Sequence, residues 1–543
     1  ESPQLYNAEV VVTADGMVVD SLTEQFGIRS LEFSPEFGFK LNGKKIFLQG
    51  NANHHDLGAL GATCYDKAIE RMMLQLKSFG YNCIRCSHNP YSDSFARIAD
   101  RVGILVVDEL TDKWSDNDYW GGRQPFTHIW HKLITEWIKR DRNRPSIILW
   151  SLGNELQIRE GWAGFEGTND WGITTYNIFN QLVKRWDHTR LTTVAMFPAR
   201  AGAITRHDKE FNDYLVPPEL ACATEVASFN YQSDKYDAYL KYRPDLILFQ
   251  SEAETSNLLQ PYYNMDKERM VGIAYWGSVE YWGESNKWPK KGWNYSFFEH
   301  TMRPYPQAYL IKTAFMPEIP EVHIGVVDAA GAESVSWNDV IVGRMALNEC
   351  WNHTPGSRRS LFTFTNAHSV ELLVNGQSMG IQKNDTTRAN LRNMIYWKDV
   401  PYGNGGSVVA IARDKSGKEV ARHRIETAGK AVALRIEAET PTDWKADGMD
   451  LQYINVTVID KKGRPVWDYN EPLTLQMEGA ARLVALDNGD HYTDELFHGI
   501  TSKRMYQGRM QIILRSDQEA GNVTVKISSA GLKGTLRLKT IKE

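Results

Sequence analysis

Two glutamates in this sequence close short apolar runs. Glu155 ends Ile147-Ile148-Leu149-Trp150-Ser151-Leu152-Gly153-Asn154, and Glu252 follows Leu246 to Phe249 through Gln250-Ser251. Two facing carboxylates suit glycosidic bond cleavage: one protonates the leaving oxygen while the other attacks the anomeric carbon or activates water. The apolar run before Glu155 supplies the dry setting a proton donor needs, and Asn154 beside it can hold a substrate hydroxyl. Glu252 must then stay ionised, with Tyr231 and the histidines as hydrogen-bond donors to it or to the sugar. A pair that acts with retention has its carboxyl groups about 5–5.5 Å apart, and an inverting pair has them at about 9 Å. Glu254 is the rival nucleophile, although a neighbouring Glu is more often a solvated or hydrogen-bonded support.

Residues so far apart in sequence meet only where a fold gathers strand ends. Eight apolar strands are expected at Lys45–Gly50, Asn82–Ser87, Ile104–Asp108, Ile147–Ser151, Leu191–Met196, Ala223–Phe229, Leu246–Phe249 and Val271–Tyr275, with amphipathic helical stretches between most of them. That alternation predicts an α/β domain, a (β/α)8 TIM barrel over residues 38–317, whose reactive side chains sit at the C-terminal strand ends. Those ends carry His54-His55-Asp56, His88-Asn89-Pro90, Asp108-Glu109, Asn154-Glu155, Asn230-Tyr231, Glu252 and Trp276. A doubly wound open sheet would want a glycine-rich phosphate turn after its first strand, and Gly50-Asn51-Ala52-Asn53 is not one. His54-His55-Asp56 is a poor metal set, because adjacent side chains on a strand point in different directions and a third ligand is lacking. Trp114, Trp120, Trp162, Trp282 and Trp288 fall in loops beyond strand ends, where they could stack on sugar faces.

At 543 residues the chain exceeds the roughly 250–300 at which one core stops growing. Residues 1–37 read as the last strands of an immunoglobulin-like sandwich, and residues 318–429 and 430–543 as two further β-sandwich domains. The sandwiches brace the barrel by default, since a fold alone says nothing about function. A net charge of -5 and a pI near 6.3 leave no basic field for nucleic acid or an anionic membrane. The longest apolar runs, such as Ile104 to Val107, fall well short of the roughly 18 residues of a membrane span. The odd count of 5 cysteines favours buried, reduced thiols over a disulfide framework. The opening Glu1-Ser2-Pro3, running at once into a strand pattern, suits a processed product or a fragment.

The motifs resemble glycoside hydrolase family 2. Asn143 to Glu155 is similar to that family's acid/base signature, and Asn82-Cys83-Ile84-Arg85-Cys86-Ser87-His88-Asn89-Pro90 to its other long motif. Leu48-Gln49-Gly50 through His54-His55-Asp56, Gln250-Ser251-Glu252, and Tyr275-Trp276 with Glu280-Tyr281-Trp282-Gly283-Glu284 resemble its first-strand, nucleophile and eighth-strand segments. The resemblance implies a retaining enzyme with Glu155 as acid/base and Glu252 as nucleophile, and sugar contacts from His54, His88, Asn154, Tyr231 and Trp276. It implies a glycoside, oligosaccharide or polysaccharide substrate and no cofactor. Members normally carry a jelly-roll domain and a complete sandwich before the barrel. The large galactosidases hold Mg2+ through a Glu and a His shortly after the third-strand Glu, whereas here Leu110-Thr111-Asp112-Lys113 follow Glu109, so no such metal is expected. A β-galactoside is the expected substrate. The alternatives are a uronide, given Lys287, Lys290 and Lys291 after the eighth strand, and an inactive carbohydrate-binding barrel. A polysaccharide-degrading role favours a periplasmic or secreted setting over the cytoplasm, and homo-oligomerisation is left open.

Overall fold

The computed structural model describes residues 3–114, 125–156, 170, 172–197, 216–256, 259–285, 287–328, 333–337 and 340–542. Eight parallel strands close a barrel: Leu48–Asn53, Cys83–Cys86, Leu105–Glu109, Ile147–Asn154, Leu191–Met196, Val226–Asn230, Leu248–Glu254 and Gly272–Trp276. Their residues are buried on both faces, as in the fourth strand, where every position from Ile147 to Asn154 is buried. Helices between strands obey their sequence signals. Asp93–Val102 starts at Ser92, whose hydroxyl accepts the Phe95 N–H, and stops at Gly103, whose φ of 79° lies in the left-handed region.

The strands are where the apolar runs put them, but several end later than expected. The fourth continues to Asn154 and the seventh to Glu254. Their polar tails stay in the ladder, with Ala195 opposite Asn154, Asn230 opposite Glu252 and Glu254 opposite Trp276. Asn154, Glu252 and Trp276 thus stand in the strands themselves, and His54, His88, Glu155 and Tyr231 within two residues of a strand end.

Closure brings the eighth strand against the first, from Gly272 opposite Leu48 to Trp276 opposite Ala52. The approach is close: a Cβ on Gly272 would lie 2.4 Å from the Leu48 carbonyl oxygen and 2.7 Å from its Cα. Only glycine fits that seam without backbone movement.

Ahead of the barrel stand an exposed hairpin, Tyr6–Ala14 with Met17–Phe26, and a three-stranded sheet of Leu31–Ser34, Gly38–Leu41 and Lys44–Lys45. After it come two pairs of four-stranded antiparallel sheets. Trp351 and Trp397 lie in the core of the first pair and Trp444 in that of the second. Packing divides the chain into two compact units, residues 1–55 with 73–278 and residues 56–72 with 279–543. All eight barrel strands belong to the first. The cysteines are free: Cys83 and Cys86 are buried in the second strand, whereas Cys64 is exposed, contrary to its expected burial. No described helix is long and apolar enough to cross a membrane.

The seam makes a direct prediction. Gly272→Ala should destabilise the barrel by about 1–3 kcal/mol, the usual cost of overpacking. It should appear as an earlier unfolding transition in urea followed by tryptophan fluorescence, and an unchanged midpoint would show that the first and eighth strands have slack.

Candidate active site

The second strand, Cys83-Ile84-Arg85-Cys86, places one charged side chain in the barrel. Arg85 is 0 % exposed, and a buried guanidinium must be paired. Its Nη1 donates to Glu252 Oε1 at 2.7 Å, and its Nη2 donates to Glu109 Oε2 at 2.7 Å and to Asn154 Oδ1 at 2.9 Å. Nε completes the fork with a 3.0 Å bond to Glu109 Oε2. One cation thereby joins the ends of the third, fourth and seventh strands.

Glu109 is held from every side. Besides Arg85 it accepts the Ser151 hydroxyl at 2.6 Å and lies 2.6 Å from His88 Nδ1. Burial would push its carboxyl up, yet the Arg85 and His88 charges outweigh that and hold it below the ordinary glutamate range. Burial likewise opposes the charged form of His88, but the hydrogen bond and charge of Glu109 raise its pKa.

Glu252 has a carboxylate oxygen for each of two donors. Oε1 takes Arg85, and Oε2 accepts the Tyr231 hydroxyl at 2.7 Å. Burial pushes the Glu252 carboxyl above its usual value and the Glu155 charge pushes the same way, with Arg85, His88 and Tyr231 opposing. Glu155 Oε1 accepts Asn230 Nδ2 at 3.1 Å, and the same amide bonds Asn154 Oδ1 at 3.0 Å. Asn230 is itself oriented by the Ser251 hydroxyl at 2.8 Å. The opposing carboxylates are therefore linked through Asn230, Asn154 and Arg85.

Two of these residues have left-handed backbones, Glu155 with φ 43° and Tyr231 with φ 58°. Such conformations cost roughly 1–3 kcal/mol each in a residue with a side chain. Both are locked: Glu155 N–H donates to the Ala195 carbonyl at 2.7 Å, and Tyr231 N–H to that of Glu252 at 2.8 Å. The turn swings each side chain aside just where its strand ends.

An aromatic wall adjoins the charges. His88 lies flat against Trp276, with ring centroids 5.2 Å apart and planes 8° from parallel, and His54 meets Trp276 edge-on at 4.9 Å. His54 Nδ1 is 3.2 Å from the Ser87 carbonyl oxygen. All seven residues singled out in the sequence thus fall in one connected cluster.

The neighbouring residues fare differently, and the expectation for Trp114 is corrected. His55 stacks on Tyr91 at 4.7 Å, and Asp56 accepts backbone N–H groups of Gly58 and Trp282 at 2.8 and 3.0 Å. Trp114 is core: it is 2 % exposed, packs edge-on against Phe179 and donates Nε1 to the Leu152 carbonyl. Trp282 is half-buried and stacked on His491, while Trp288 is exposed. Trp120 and Trp162 lie outside the described residues. Sequence reasoning gave no role to Arg85, Asn230 or Asp112, whose Oδ1 accepts Asn154 Nδ2 at 3.0 Å. The signal for Arg85 was present, since a lone arginine in an apolar strand needs a carboxylate partner.

A barrel with paired glutamates, an aromatic wall and amides on its C-terminal rim has the architecture of a glycosidase. The family models agree: "Glycosyl hydrolases family 2, TIM barrel domain" matches residues 36–269, and "Glycoside hydrolase family 2 C-terminal domain 5" matches residues 434–536. A domain of unknown function matches residues 356–421. The chain belongs to glycoside hydrolase family 2. It is 27% identical to the β-galactosidase BoGH2A of Bacteroides ovatus, over 98% of this chain and 66% of that protein. It is 43% identical to a putative β-glucuronidase of Formosa agariphila, over 100% of this chain and 53% of that one. A glycosyl hydrolase family 2 member from Bacteroides cellulosilyticus superposes with a TM-score of 0.87 at 28% identity, covering 99% of this chain and 68% of that structure. The chain thus spans between about half and two thirds of the length of these curated relatives.

The Tyr231 contact yields a pH prediction. A hydroxyl donated to the ionised form of Glu252 lowers its pKa, so Tyr231→Phe should raise it. If ionised Glu252 is required, activity falls as pH drops through that pKa, and the acid limb of kcat/KM should move up by about one pH unit. A pH profile of the two proteins checks this, and an unmoved limb would detach Glu252 from the titration.

Proposed function

We propose that this chain is a retaining glycoside hydrolase that removes a terminal β-linked sugar, a β-galactoside, by double displacement. The observation that carries the reading is Glu252, whose two oxygens are fixed by Arg85 and Tyr231 and whose carboxylate is linked to Glu155 through Asn230 and Asn154. In the first step Glu252 attacks the anomeric carbon while Glu155 gives its proton to the departing glycosidic oxygen, leaving a glycosyl ester on Glu252. In the second, Glu155 takes a proton from water, the resulting hydroxyl attacks the same carbon, and the ester bond breaks to restore both groups. Arg85 cannot shed its proton, so it holds Glu252 in place without competing for one. On this reading, drawn from the family resemblance, Asn154, His88 and His54 meet sugar hydroxyls and the Trp276 ring meets the apolar face of the sugar.

The likeness to BoGH2A supports a galactoside. A β-glucuronide is the second reading, favoured by the name of the 43%-identical relative and by the run of Lys287, Lys290 and Lys291. A panel of aryl β-glycosides of galactose, glucuronic acid, glucose, mannose and fucose decides between them. The galactoside is expected to be turned over fastest. A faster glucuronide would replace the sugar, and binding without turnover of any of them would replace the enzyme by a carbohydrate-binding barrel.

The roles separate by leaving group. Glu155→Ala should lower turnover of an alkyl glycoside about 10²–10⁴-fold, yet still form the glycosyl-enzyme from an aryl glycoside with an acidic phenol, and azide should speed its release. Glu252→Ala should lose both substrates, and Glu254→Ala should keep substantial activity. Loss in Glu254→Ala with retention in Glu252→Ala would move the nucleophile by two residues.

A further inference from the structure

Three side chains distant in sequence, Glu280, His300 and His491, converge in the second unit, all buried. Glu280 Oε2 lies 3.3 Å from His300 Nδ1 and 3.2 Å from His491 Nε2. Ligand atoms that each sit about 2.0–2.2 Å from one divalent ion are separated by such distances. The His491 approach is not aligned as a hydrogen bond, and neither of its ring nitrogens has a hydrogen-bond partner. Glu280 Oε2 accepts the His300 backbone N–H and faces His300 Nδ1, each at 3.3 Å, while His491 Nε2 beside it is left without a hydrogen bond.

The surrounding contacts are those that orient metal ligands. His300 Nε2 is 2.9 Å from Asp487 Oδ1, which leaves Nδ1 as the coordinating nitrogen, and the Tyr305 hydroxyl fixes Glu280 Oε1 at 2.6 Å. Arg344 approaches that same Oε1 at 3.5 Å, away from the oxygen the histidines face. A cavity of about 110 Å³ lined by Glu280, His491, Tyr305, Arg344 and Asn294 borders the group. It has room for water as a further ligand.

We infer that Glu280, His300 and His491 form a binding site for one divalent cation of the zinc class. Two imidazoles and one carboxylate suit zinc better than the oxygen-seeking Mg2+ or Ca2+. A divalent ion held by all three ties the segment after the eighth barrel strand to the His491 loop between Ala481–Asp487 and Ser502–Arg504.

A second grouping, His323 with Glu349 and His423, is the internal control. Its two rings are stacked 4.0 Å apart at 24°, so their in-plane lone pairs run side by side, and His423 Nδ1 already accepts the Ile324 N–H at 3.0 Å. Its stacked rings make it the poorer candidate of the two, and it serves as the comparison in the test.

The test uses the full chain, stripped with a chelator, dialysed and titrated with Zn2+. Elemental analysis should find one zinc per chain, and the melting midpoint should rise by about 5 °C at a hundredfold excess over the dissociation constant. Glu280→Gln and His491→Gln should lose both effects and His423→Gln should keep them. Should the first two fail to fold, Co2+ added to the unaltered chain should give the visible absorption of a four- or five-coordinate nitrogen-oxygen site. No retained zinc and no midpoint shift in the unaltered chain would overturn the site, as would loss of zinc in His423→Gln.

Discussion

The candidate site depends on one buried cation. Arg85 has no exposed surface and forks to Glu109, Glu252 and Asn154. Two carboxylates in a low-dielectric interior would repel each other and shed a charge by taking up a proton. A guanidinium between them makes both tolerable, and unlike a lysine it cannot escape the cost by deprotonating. Removing one partner of such a group strands the others, at roughly 3–5 kcal/mol. Arg85 therefore constrains stability and geometry together, because the carboxylate it stabilises is the one it positions.

The same economy governs the strand ends. Parallel strands supply rigidity, but a regular strand aims successive side chains to opposite faces. The left-handed turns at Glu155 and Tyr231 break that alternation at the last moment, and the N–H groups they release are taken by carbonyls of Ala195 and Glu252. Tyr231 is thereby tied to Glu252 twice, by its backbone and by its hydroxyl. The reactive groups are offset from the ladder yet remain bonded to it, which limits their motion as a loop would not.

How far this was legible in the sequence follows from what an apolar run can and cannot report. Strand starts such as Ile147 and Leu191 were found because burial on both faces selects unbroken apolar residues. The seventh strand was ended at Phe249 instead of Glu254 because Gln250-Ser251-Glu252 reads as a loop, although those residues are buried and laddered. Function itself put polar residues at the rim, so the signal for a strand fails where the site begins. Trp114 misled for the converse reason: its position suggested a sugar platform, but a loop residue can fold back into the core, and its Nε1 found a carbonyl there. The assignments of Glu155, Glu252, Asn154 and Tyr231 to one cluster needed only the order of strands around a barrel. Arg85 needed the further step of asking what a charge inside a strand must touch. Glu280, His300 and His491 offered no such step, since no sequence period relates them.

The two buried clusters differ in what balances their carboxylates. In the barrel, the cation that touches both Glu109 and Glu252 is an arginine, whose charge does not vary with pH, so the acidity of Glu252 is set first by burial against Arg85 and then adjusted by Glu155, His88 and Tyr231. In the second unit, Glu280 faces two imidazoles. An imidazole has two states, and the neutral one offers a lone pair where the charged one offers a proton. The carboxylate of Glu252, by contrast, keeps the same charged partner at every pH. Glu280 has Arg344 on Oε1 but imidazoles on Oε2, and an imidazole can offer a lone pair where a guanidinium offers only protons, so the identity of the partner, more than depth of burial, distinguishes the two carboxylates.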